Sequence, residues 1–63
     1  MELNIKKIIQ ERDRLGLTNY GLAKAIGIRP YNLQYILKAK STKLATIQKM
    51  ADFFDIGAKD LLK

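Results

Sequence analysis

Sixty-three residues accommodate one small domain, which excludes a Rossmann unit, a barrel or a two-domain enzyme. With 48% of residues apolar and 29% charged the chain is composed like a folded domain, and the absence of Cys and His excludes disulfides, common zinc sites, Cys nucleophiles and Ser-His triads. Twelve Lys and Arg against six Asp and Glu give +6, and the 38 residues between Asp13 and Asp52 hold no acid at all while carrying Arg14, Lys24, Arg29, Lys38, Lys40, Lys43 and Lys49. This balance points to a polyanionic partner.

Taken in order, the first element is a helix with Asn4 as N-cap and Leu3 and Ile8 at staple positions. Its expected inward residues are Ile5, Ile8, Ile9 and Leu15, and Gly16 stops it with a left-handed cap, after which Leu17 returns to the core. A second, short helix starts after Thr18 as N-cap, buries Leu22, Ala23 and Ile26, and ends at Gly27. The third begins at Pro30, because proline lacks the donor that a first helical turn cannot use and its φ already suits the helix. It turns Leu33, Ile36 and Leu37 inward. The opposite face then presents Arg29, Tyr31, Asn32, Gln34, Tyr35 and Lys38, polar and aromatic with no negative charge. After a polar loop from Lys40 to Lys43, a fourth helix carries Leu44, Ile47, Met50, Ala51 and Phe54 at helical spacing as its core stripe. A last short helix from about Gly57 to Leu62 closes the domain with Leu61 and Leu62. The fold class expected is therefore all-α, with five short helices.

Apolar runs are short, such as Ile8-Ile9 and Leu61-Leu62, whereas a membrane-spanning helix needs about 20 residues. Gly16, Gly21, Gly27 and Pro30 also divide the chain too finely for a long amphipathic membrane helix. No signal-peptide pattern opens the sequence, so the expected location is cytoplasmic. Nucleic acid is the partner the acid-free stretch favours, and the plain alternative is a solvated basic surface that keeps a small protein soluble.

Two short helices joined by a tight glycine turn form a helix-turn-helix, whose second helix can lie in a DNA major groove. Leu17-Thr18-Asn19, Leu22-Ala23, Gly27-Ile28, Leu33, Ile36 and Lys40, followed by Leu44, Ile47, Ala51, Ile56 and Leu61-Leu62, resemble the lambda-repressor-like family of Cro and cI type regulators. The resemblance spans nearly the whole chain, including Ile8, Arg12 and Gly16 of the first helix. It implies a five-helix lambda-repressor-like domain with the helix-turn-helix formed by helices 2 and 3. Several positions depart from the family's pattern. Asn19 replaces the usual Gln, and Gly21 replaces a Glu that would complete a capping box with Thr18, so helix 2 is expected to fray more easily. Leu37 stands where a Glu often pairs with the first-helix arginine, which leaves Arg12 without that partner. Ala39 replaces the common Gly after helix 3, and the loop before Leu44 lacks the frequent Pro-Ser step.

By the family's geometry the first turns of helix 3 face base edges, which makes Arg29, Tyr31, Gln34 and Tyr35 the base-reading candidates. Arg can hold guanine through O6 and N7 and Gln can hold adenine through N6 and N7, each worth about 1 to 3 kcal/mol of discrimination. The tyrosine rings suit thymine methyls, and the alternative for them, above all for Tyr35, is packing along the edge of the core. Backbone candidates are Thr18, which also serves as N-cap, and Asn19 at the start of helix 2, with Asn32, Lys38, Lys40, Ser41, Thr42 and Lys43 across the groove.

The resemblance thus implies a sequence-specific double-stranded DNA-binding transcriptional regulator, a small Cro-like repressor. It would act without a cofactor; because one such domain offers few base-reading side chains, a weak homodimer completed on a pseudo-palindromic operator is expected, paired through Ile56, Ala58 and Leu61, for which plain core is the alternative. The competing class is a protein-interaction module on the same fold, such as an antitoxin or antirepressor subunit, using Tyr31 and Tyr35 as interface anchors. The acid-free belt favours DNA. An enzyme is not expected, since a Lys or carboxylate catalyst would lack a phosphate loop, a ligand cluster and a sizeable pocket here.

Overall fold

In the computed structural model, which describes residues 2–63, four α-helices follow one another: α1 (Ile5–Arg14), α2 (Asn19–Ile26), α3 (Pro30–Ala39) and α4 (Leu44–Phe54). The expected fifth helix is instead a single 3₁₀ turn, Ala58–Leu61. Four residues close only i→i+3 bonds there, from the Asp60 N–H to the Gly57 carbonyl (3.0 Å) and from Leu62 to Lys59 (3.1 Å). Leu62 then leaves in extended conformation to form an antiparallel bridge with Leu3, and a continuing helix would forfeit that pairing. Asn4 and Lys63 add backbone bonds to Leu61 and Glu2, so the segment before α1 and the segment after the 3₁₀ turn are laced together.

The caps follow the local sequence. Asn4 Oδ1 accepts from the Lys7 N–H (3.2 Å), and Thr18 Oγ accepts from the Gly21 N–H (3.1 Å). Thr18 therefore caps α2 without the glutamate of a full capping box. Gly27 ends α2 at φ 78°, and Pro30 occupies the first turn of α3 after an extended Arg29. Helix α3 runs through Ala39, so the left-handed cap falls on Lys40 at φ 59° rather than on Ala39.

Apolar faces of all four helices meet in one core that includes Ile8, Leu22, Leu33, Ile47, Met50 and Phe54, with Leu3 and Leu61 sealing it from the two ends. Helix α2 packs on α3 and α4, and the 3₁₀ turn packs on α1 and α4. Two assignments made from periodicity are corrected, and one made from the dimer argument is decided. Ile9 and Leu15 are exposed, because the inward stripe of α1 runs through Ile5, Ile8 and Glu11 while Leu15 lies past the last helical residue. Leu44 is 50% exposed, since it opens α4 at the rim of the core. Leu61 is fully buried, and Ile56 and Ala58 are partly buried against the same core, so for this trio the core alternative holds rather than an open pairing surface. Among the described residues no helix is long and apolar enough to cross a membrane.

Candidate nucleic-acid interface

The α2–turn–α3 unit is fixed from both sides. Leu22, Ala23 and Ile26 of α2 and Leu33 and Ile36 of α3 are buried in the common core, which obliges the rest of α3 to face outward. The left-handed Gly27 reverses the chain, and the Ile28 N–H returns to the Ala23 carbonyl (2.9 Å).

On the outward face Tyr31 is 77% and Tyr35 66% exposed, so neither ring packs into the core, and the packing alternative for Tyr35 does not hold. Tyr31, Gln34, Tyr35 and Lys38 together line a shallow concavity of about 240 Å³. A second one, of about 260 Å³, lies beside it, where Asn32 and Tyr35 meet Ser41, Thr42 and Lys43. Tyr35 belongs to both. Most of the residues singled out on α3 and in the loop after it therefore share one continuous surface. Arg29 lines neither concavity and stands exposed as the N-cap of α3, with no side-chain capping bond. Lys40 lines a separate cleft with Leu3, Ile5, Lys6, Ile9 and Lys63.

No acidic residue occupies the first turn of α2, α3 or α4, so the positive ends of three helix dipoles stand without a compensating carboxylate in their own first turns. The acid nearest in sequence to the start of α2 is Asp13, and its Oδ1 accepts from Arg12 Nε (3.1 Å) and Nη2 (2.9 Å). The third arm of the same guanidinium, Nη1, donates to Asn19 Oδ1. Arg12 is thus not left unpaired by Leu37: Asp13 and Asn19 replace the missing glutamate. Leu37 instead packs partly buried against the core, where an unpaired charge would be costly.

Two further residues, one on α1 and one on α2, stand out in the structure and not in the sequence pattern. Arg12 was read only through its expected partner, although its spacing of seven residues from Asn19 spans the turn between α1 and α2. Tyr20, 58% exposed, lies on α2 with the Lys24 Nζ 5.3 Å from its ring centroid, and the i,i+4 spacing of an aromatic and a lysine was the available signal.

Comparison with known proteins adds the family. A helix-turn-helix family model matches residues 8–61, from the middle of α1 to the end of the 3₁₀ turn. No curated protein and no solved structure gives a significant match. The matching family is one of DNA-binding domains and not of enzymes. With four helices around one core, a glycine turn between α2 and α3 and the family match across nearly all of it, the chain belongs to the lambda-repressor-like helix-turn-helix family of Cro and cI type.

Proposed function

We propose that the protein is a small repressor that recognises a specific double-stranded DNA site by laying α3 in the major groove. The observation that carries this reading is the outer face of α3, which is exposed, basic and free of acids and holds polar side chains of the kinds that read base edges. Arg29, Tyr31, Gln34 and Tyr35 read bases. Thr18 and Asn19 hold the backbone on one side, Asn32, Lys38, Ser41, Thr42 and Lys43 hold it on the other, and Lys40 extends that grip from the separate cleft it lines. A repressor of this kind needs no cofactor: it acts by occupying a site that polymerase must use, from the cytoplasm where that DNA lies.

The test begins with selection of bound sequences from a random duplex library. On the selected site, Gln34→Ala or Arg29→Ala is expected to cost about 1 to 3 kcal/mol while barely changing affinity for random DNA. Lys43→Ala is expected to weaken both alike and to lower the salt slope by about one unit. Equal losses on selected and random DNA for the α3 variants would refute direct reading by those residues. Failure to enrich any sequence, with binding to a protein partner instead, would favour the interaction-module reading, which the exposed Tyr31 and Tyr35 would also serve.

A further inference from the structure

We propose that Arg12 is a positioning residue for DNA binding: from α1 it holds the Asn19 amide at the start of α2 so that its NH2 group is presented to a DNA phosphate. The inference rests on the reading of the chain as a DNA-binding domain and assigns a role that this reading leaves open.

A guanidinium has donors and no acceptor, so the amide atom that meets Arg12 Nη1 is the Asn19 oxygen. The other arm of that amide, the NH2, is thereby fixed as a donor pointing elsewhere, and among the described residues no protein acceptor takes it up. Arg12 itself is not free to swing. Two of its nitrogens are held by Asp13, and its side chain is only 21% exposed.

The arrangement is electrostatically odd for a purely structural tie. It brings a cation beside the N-terminal end of a helix, where a positive charge opposes the helix dipole; Asp13 balances that cation from outside the helix, and the first turn of α2 carries no acid of its own. An acid at position 19 would satisfy Arg12 and suit the dipole at once, yet the chain carries an amide. What an asparagine keeps and an aspartate lacks is the donor. A phosphate oxygen is an acceptor of matching chemistry, and its negative charge would suit the positive end of the α2 dipole.

The experiment measures affinity and salt slope on a labelled random-sequence duplex, since a phosphate contact needs no particular site, alongside thermal unfolding of each variant. Arg12→Ala and Asn19→Ala are each expected to weaken binding about three- to tenfold, with the double variant no weaker than the poorer single one. Arg12→Lys keeps the charge but not the fork, and it is expected not to restore affinity. Asn19→Asp keeps the acceptor for Arg12, so its melting temperature should hold or rise while its affinity falls by tenfold or more. Wild-type affinity in Asn19→Asp, rescue by Arg12→Lys, or losses that multiply in the double variant would each overturn the proposal and leave DNA binding by the domain intact. Absence of salt-dependent duplex binding by the wild type would instead overturn the DNA-binding reading, and this proposal with it.

Discussion

At the scale of single residues, Glu11 and Lys40 each carry a cost that the fold must offset. Glu11 is the one buried charged residue among those described, with Oε1 accepting from Arg14 Nη2 (2.9 Å) and Nε (3.1 Å) and Oε2 facing Lys7 Nζ at 3.6 Å. The Arg14 hydrogen bond, against the opposing effect of burial and together with the charges of Arg14 and Lys7, holds this carboxyl below its ordinary 4.5. A carboxyl lowered on folding contributes stability that is fully present above its unfolded value and is lost as pH falls through the folded one. Melting temperature is therefore expected to drop on acidification below about pH 4.5, and Glu11→Gln should be less stable at neutral pH while showing a flatter acid limb. An unchanged acid limb in that variant would show that the Arg14–Glu11–Lys7 group does not govern it. Lys40 bears a different cost, since its φ of 59° is one that L residues adopt reluctantly. Lys40→Gly removes that strain and should raise stability by up to about 1 kcal/mol. As the proposed phosphate contact of Lys40 goes too, the same variant should bind all duplexes more weakly, and a gain in melting temperature with no loss of affinity would leave its side chain without a role on DNA.

At the scale of elements, helices α2 and α3 were legible from sequence because their punctuation is chemical. A threonine cap, a left-handed glycine and a proline at the first helical position each act through one residue's own geometry, and all three fall where the sequence places them. The outward face of α3 followed, since its complement is a short run of aliphatic residues at helical spacing. What escaped depended on partners distant in sequence. The closing segment was drawn into a 3₁₀ turn by the bridge between Leu3 and Leu62, and the rim position of Leu44 depends on where α4 enters the core. Arg12 is legible only as a loss, because one of its two partners, Asn19, lies on a different helix, and the other, Asp13, adjoins it on α1 where helical spacing does not pair neighbours. These distinctions bear on energetics. Ile47 and Phe54 lie within the core at 0% and 2% exposure, so alanine at either should cost about 2 to 5 kcal/mol, against a total stability of roughly 3 to 9 kcal/mol for a chain of this size. Leu44→Ala, at half exposure, should cost under about 1.5 kcal/mol. Chemical denaturation of the three variants separates the stripe from its rim, and equal losses at all three would mean that α4 buries Leu44 in solution.

At the scale of the whole molecule, the dimensions limit how much DNA one chain can address. The longest Cα extent is 24 Å, shorter than the roughly 34 Å that separates successive major-groove segments on one side of the duplex. One chain therefore reaches one groove segment and brings four base-reading candidates to it. A good bidentate contact, of the kind Arg29 or Gln34 could make, supplies about 1 to 3 kcal/mol of discrimination, while a specific site must outcompete something like a million or more alternatives in a genome. Two chains related by a two-fold axis would double the address and impose a pseudo-palindrome with half-sites about one helical turn apart. Free association should be weak. Leu61 is sealed in the core, Ile56 and Ala58 are largely occupied by it, and of the exposed apolar side chains other than tyrosines, Ile9 and Leu15 belong to α1 and its cap while Leu44 and Phe53 stand near opposite ends of α4. A stable dimer ordinarily buries about 800 Å² on each partner, a large share of the 4301 Å² that this chain exposes. The expected behaviour is a monomer in dilute solution that binds its selected site cooperatively as two copies, with DNA holding the pair in register. Sedimentation of the free protein and of its complex with the selected duplex checks both halves, and a single copy saturating an asymmetric site would reject the dimeric model.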